Sequence, residues 1–156
     1  MTFIEAMQIL AAFERHRVAY VLIGSMAMAA QGIVRATRDM DIFVDPEESN
    51  VARLKAALTE IFRDPDIELI STRDLAGEYP AIQYVPPNAD YWLDILARLG
   101  EAFHYKDVES EILRVGDVSV RVATPRMLYR MKRDTVRPQD RVDAQVIKER
   151  FALEGD

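Results

Sequence analysis

Asp39 and Asp41 stand two residues apart in TRDMDIFVD, and Asp94 sits in YWLDILA. Both stretches read as β-strands, and residues i and i+2 of a strand share a face, about 6.5–7 Å apart along it. Acids are depleted from strands, and like charges side by side repel. Ile42-Phe43-Val44 follows Asp41, while Leu93 and Ile95 flank Asp94, so these carboxylates are set into core sequence. An acid there is costly unless it is paired or holds a metal. A third acid from a neighbouring strand would complete an oxygen site suited to Mg²⁺ or Mn²⁺. Two such ions about 3.5–4 Å apart can activate an attacking oxygen and stabilise a leaving one. Taken alone, Asp39 and Asp41 equally suit a strand end paired with Arg35 or Arg38, and Asp94 a structural acid.

Gly24-Ser25 follows the apolar run Val18 to Ile23 and precedes the Ala/Met-rich stretch Met26 to Gln31. Backbone N–H groups at a helix start favour an anion, and glycine lets a phosphate approach the main chain. No Gly-Lys-Ser/Thr follows, so this is not a P-loop. An ordinary tight turn is the competing reading.

The whole chain sets the frame for these residues. Its 156 residues, 49% apolar and 29% charged, suit a single domain over 1–156 with a substantial core. The expected division is a core over about 1–122 and C-terminal helices over about 124–152. No apolar run reaches the roughly eighteen residues of a membrane span, and the N-terminus lacks a signal peptide's basic start. With no cysteine there is no thiolate site, which suits a reducing cytoplasm. His16 and His104 are too scattered for a metal cluster. The net charge of −6 argues against a duplex-DNA face. Yet Arg121 to Arg150 holds nine Lys/Arg against four Asp/Glu, so a basic C-terminal stretch opposes an acidic body. That asymmetry suits carboxylates that hold a metal facing cations that hold phosphate.

The elements that must position these groups follow from periodicity. Thr2 to about Arg15 reads as an amphipathic helix, with Phe3, Ile4, Met7, Ile9, Leu10 and Phe13 near helical spacing. A buried strand over Val18 to Ile23 leads into a short helix capped by Gly32. Met40 to Val44 is a strand, and Pro46 opens a helix from Glu47 to Phe62. Ile67 to Ile70 suits a short strand, Thr72 to Tyr79 a loop, and Ala81 to Val85 and Tyr91 to Leu96 strands. Val108 to Val115 and Val118 to Val122 flank the turn Gly116-Asp117 as a hairpin. Thr124-Pro125 starts a helix reaching about Asp134, and another spans Pro138 to Phe151. The expected fold is α/β, a mixed sheet flanked by helices.

Helical phase sorts the basic tail. Met127, Leu128 and Met131 mark a buried stripe, Lys132 falls at its border and Arg133 points away. Lys132 therefore suits a triphosphate ligand, or a partner for a neighbouring acid. On the last helix Val142, Val146 and Ile147 form the expected inner stripe, with Asp143 inside it as an anchor for Arg137 or Lys132. Trp92 suits core packing or stacking on a base.

Gly24-Ser25, then Asp39-x-Asp41 in a strand, then Asp94 in a later strand resembles the nucleotidyltransferase superfamily that includes DNA polymerase β. The run Arg35-x-Thr37-x-Asp39-x-Asp41, with a tail lysine and an Arg-Pro-x-Asp-x-x-Asp pattern, is similar to the AbiEii-type branch. The resemblance covers nearly the whole chain. It implies that Asp39, Asp41 and Asp94 bind Mg²⁺ or Mn²⁺, with Asp94 also the general base. Gly24, Ser25, Arg35, Thr37 and Lys132 would bind the nucleotide. The implied reaction moves a nucleoside monophosphate from an NTP to an acceptor, RNA, tRNA or protein. A role in a toxin–antitoxin system, beside a cognate antitoxin protein, would follow from that branch. The alternative is a non-catalytic module of the same fold that acts through a protein partner.

Overall fold

The computed structural model describes residues 1–33, 38–77, 81–101 and 103–154. Helix α1, Phe3–Arg15, starts at a capping box in which the Thr2 side chain accepts from Glu5 N–H and the Glu5 carboxylate accepts from Thr2 N–H. Strand β1, Tyr20–Ile23, runs into helix α2, Gly24–Ala30, and Gly32 at φ +94° lets the chain turn past it. Strand β2 is Asp39–Val44 and helix α3 Glu48–Phe62. Helix α4, Thr72–Ala76, precedes strands β3, Ala81–Tyr84, and β4, Trp92–Leu96. A small hairpin pairs β5, Arg98–Leu99, with β6, Phe103–His104. Then come β7, Ser110–Val115, and β8, Val118–Ala123, followed by α5, Pro125–Arg133, and α6, Pro138–Arg150.

Six strands form one mixed sheet in the order β3-β4-β2-β1-β8-β7. Antiparallel β1 and β2 sit at its centre, and β4 runs parallel to β2. Helices flank this sheet, the α/β architecture expected. Met40 and Ile42 of β2 and Leu93 and Ile95 of β4 are fully buried, while Asp39, Asp41, Trp92 and Asp94 alternate with them on the opposite face. That alternation locks the register, because a slip of one residue would drive carboxylates into the core.

Three expectations give way. Ile67 to Ile70 is not a strand: Pro65–Leu69 forms a 3₁₀ turn whose entry is capped by Asp64, which accepts from Asp66 N–H. Thr72 to Ala76 is helix rather than loop, because Ser71 Oγ accepts from Asp74 N–H; Tyr79 lies outside the described residues. On α6 the inner stripe is Asp143, Ala144 and Ile147, with Val142 56% and Val146 40% exposed. The cause is polar. Asp143, only 2% exposed, accepts from Lys132 Nζ at 3.1 Å and Gln139 Nε2 at 3.0 Å. This buried pair between α5 and α6 sets the rotation of α6, and the valines are left outside.

Removing one partner of a buried pair strands the other. Asp143→Ala is therefore expected to lower stability by about 2–3 kcal/mol in denaturant melts, whereas Val142→Ala should cost almost nothing. Equal losses would mean that α6 is seated by its valines after all.

Candidate functional site

Register builds the site. Asp41 pairs across the parallel β2–β4 ladder with Asp94, and Asp39 with Trp92. One carboxylate oxygen from each of Asp39, Asp41 and Asp94 lies within 4.8 Å of the others. On the other flank of β2, Asp41 is opposite Ile23, the residue before Gly24. Gly24 has φ +70°, and a Cβ built on it would fall 2.2 Å from Asp41 Oδ2. Glycine is thus required twice, for the backbone angle and for the close approach of the carboxylate. Helix α2 begins there with no side-chain cap and no acid in its first turn.

The strands supply the acids and the C-terminal helices supply the facing wall. Together they enclose a polar cleft of about 320 Å³ lined by Gly24, Ser25, Asp39, Asp41, Asp94, Lys132, Arg137, Asp140 and Asp143, with Arg38 and Gln139. Lys132 Nζ, 3.1 Å from Asp143 Oδ2 and 3.4 Å from Asp140 Oδ1, is therefore both an acid's partner and a cleft residue. Asp140 also accepts from Thr135 Oγ1 at 3.0 Å and meets Arg137 Nε at 3.8 Å. Arg133, by contrast, pairs with Asp134 and lies over the Tyr129 ring.

Five acids face three cations across this cleft. Burial raises Asp41 most, to about 7, followed by the hydrogen bond shared with Asp94 and the charges of Asp39 and Asp94; Lys132 opposes them. Asp39 is raised as well, first by burial and then by Asp94. Burial first and the neighbouring carboxylates second favour the protonated acids, and Lys132 does not offset them. Three hard oxygen donors at such separations fit a divalent cation of the Mg²⁺ class.

Among the site residues read from sequence, Gly24, Ser25, Asp39, Asp41, Asp94 and Lys132 come together here. Arg35 and Thr37 lie outside the described residues. Sequence reasoning missed Arg137, Gln139 and Asp140 as cleft residues. Spacing held part of the signal, since Asp140 and Asp143, three apart on a helix, must share a face. It also missed that Trp92 Nε1 donates to Asp94 Oδ2 at 3.1 Å. Arg38, weighed from sequence as a partner for the strand acids, is exposed and stands at the cleft.

No family model and no curated protein matches the sequence. Solved structures do match the fold. A crystal structure of a proposed nucleotidyltransferase from Thermotoga maritima superposes with a TM-score of 0.54 at 14% identity, covering 99% of this chain and 97% of that one. The crystal structure of ANT(2″)-Ia in complex with adenylyl-2″-tobramycin gives 0.56 at 14% identity, covering 94% and 87%. The solution structure of the same antibiotic-resistance factor gives 0.56 at 15%, covering 94% and 82%. The chain is similar to these proteins in fold, a nucleotidyltransferase-like mixed sheet with flanking helices.

The raised Asp41 carboxyl links stability to pH. In the unfolded chain it loses its proton near the ordinary carboxyl value of about 4, and in the native state only near 7. Between those values the native state binds more protons, so stability falls as pH rises. In chelator at pH 8, Asp41→Asn should therefore be more stable than wild type, with the gap closing toward pH 4. A gap independent of pH in thermal melts would refute the raised Asp41 carboxyl.

Proposed function

We propose that this chain is a metal-dependent nucleotidyltransferase, which moves a nucleoside monophosphate from an NTP to an acceptor. The observation that carries the proposal is the convergence of Asp39, Asp41 and Asp94 beside Gly24 and Lys132. Asp39, Asp41 and Asp94 would hold Mg²⁺ or Mn²⁺, which when bound supplies Lewis-acid polarisation of the phosphate and the attacking oxygen. Asp94 Oδ1, opposite the oxygen engaged by Trp92, would accept the proton of the attacking hydroxyl. A new acceptor-oxygen–phosphorus bond forms at the α-phosphorus, the α–β anhydride bond breaks, and pyrophosphate leaves. The backbone at Gly24-Ser25 and the Lys132 ammonium would bind the terminal phosphates, with Arg35 and Thr37 the nucleotide ligands expected from the motif. Asp143 and Asp140 keep Lys132 at the cleft wall rather than in solvent.

Placement in the AbiEii-type branch rests on the Arg35-x-Thr37-x-Asp39-x-Asp41 run and the helical tail. RNA, tRNA or a protein is the acceptor that branch suggests, and a toxin–antitoxin role with a cognate antitoxin belongs to the same proposal. The basic stretch from Arg121 to Arg150 is in keeping with an anionic acceptor. No helix among the described residues is long and apolar enough to cross a membrane.

A ligand bound only by the folded state stabilises it. Mg²⁺ or Mn²⁺ with NTP should raise the melting temperature of wild type, and Asp41→Asn should abolish the rise. Radiolabelled NTPs with either metal, incubated with total RNA and lysate protein, should label an acceptor in wild type and not in the variant. An equal thermal shift in Asp41→Asn would place the nucleotide elsewhere.

A further inference from the structure

Trp92 is the chain's sole tryptophan, and it does not fill the core. The core face of β4 is Leu93 and Ile95, both fully buried, whereas Trp92 is half-buried on the face that carries the acids. Opposite it on β2 is Asp39, and two residues along is Asp94, whose own partner is Asp41. The four side chains occupy a square on the sheet, three carboxylates and one indole. The indole edge meets Asp94, with Nε1 donating to Oδ2 at 3.1 Å.

We infer that Trp92 is a positioning residue, holding Asp94 in the orientation in which the three carboxylates share one cation. This rests on the reading of the cleft as a metal-dependent nucleotidyltransferase site. A terminal carboxylate torsion is broad and has no firm rotamer of its own. With Asp39 and Asp41 beside it, repulsion would swing Asp94 away from the other two. A hydrogen bond to Oδ2 opposes that swing and does not engage Oδ1. The donor's chemistry matters as much as its place. Lysine or arginine could make the same bond, but its charge would compete with the cation for the cleft. Indole N–H is a neutral donor that neither accepts a bond nor titrates, so it orients the acid and leaves the charge of the site unchanged. Residues behind a metal ligand commonly alter metal affinity ten- to a hundredfold when replaced.

The test uses the full chain as wild type, Asp41→Asn and Trp92→Phe, the last keeping an aromatic ring but no N–H. Free Mn²⁺ is followed by electron paramagnetic resonance, and thermal melts in chelator report on the fold. Trp92→Phe should melt like wild type in chelator yet bind Mn²⁺ at least tenfold more weakly. Equal Mn²⁺ affinities for wild type and Trp92→Phe would overturn the positioning role while leaving the site's reading intact. Should wild type fail to bind Mn²⁺, or Asp41→Asn bind it equally well, the site's reading and the inference fall together. If Trp92→Phe does not fold, wild-type fluorescence decides: Mg²⁺ should shift the emission of the sole tryptophan, and an unshifted spectrum overturns the role.

Discussion

Asp41 and Asp94 face each other across neighbouring parallel strands, and most of the architecture nearby answers that one repulsion. Like charges directly opposed in a sheet destabilise it, so the strands must be held together by something stronger. The reverse face supplies it: Met40, Ile42, Leu93 and Ile95 are all fully buried, each worth roughly 1.5–3 kcal/mol of apolar burial. The same residues forbid a register shift, since any slip would exchange them for the acids. Gly24 belongs to this constraint too. Its missing side chain is the space that Asp41 occupies, so the turn before α2 and the acid on β2 are parts of one packing problem.

The second part of the answer comes from α5 and α6. Lys132 is placed by two acids of its own, Asp140 and Asp143, rather than by the strand carboxylates it faces. A lysine paired only with Asp41 would satisfy that acid and leave a cation little to bind. Burial first, then the hydrogen bond with Asp94 and the charges of Asp39 and Asp94, raise Asp41 to about 7, and Lys132, its charge already shared within the helical pair, only partly opposes them. The cleft therefore remains net negative, with five acids to three cations. Under the proposed function this favours the triphosphate as its metal complex over the bare anion, since the strand acids would repel bare phosphate.

Local patterns in the sequence were enough to place the acids on one face of a mixed sheet. Period-two alternation at Met40 to Val44 and Tyr91 to Leu96 depends on neighbours one and two residues away, and so did the Thr124-Pro125 helix start. What failed depended on partners far along the chain or on short-range caps. Helical phasing set Val142 and Val146 inward, whereas the Lys132–Asp143 pair turns α6 the other way. A hydrophobic stripe is an average over a helix, and one buried ion pair outweighs it when the valines offer so little area. The 3₁₀ turn at Pro65–Leu69 and the α4 start at Ser71 were missed because each hangs on one side-chain cap. Trp92 was read as packing or stacking because its hydrogen bond to Asp94 depends on side-chain geometry that spacing alone does not specify.

Site and fold are coupled through the same few contacts. The cleft draws residues from the β1–α2 turn, β2, β4 and the α5–α6 pair; the strands are hydrogen-bonded into the sheet, while α5 and α6 are anchored by Met127, Leu128, Met131, Ala144 and Ile147. The charge of Lys132 acts on Asp41, and α2 packs against α5. A cation between Asp39, Asp41 and Asp94 would remove the repulsion that strains the ladder. Phosphate reaching from Gly24-Ser25 to Lys132 would bridge the sheet to the helices. Occupancy of the cleft would then tie the helical wall to the strands. The same excess charge that costs the empty fold stability is what gives the proposed metal complex its hold.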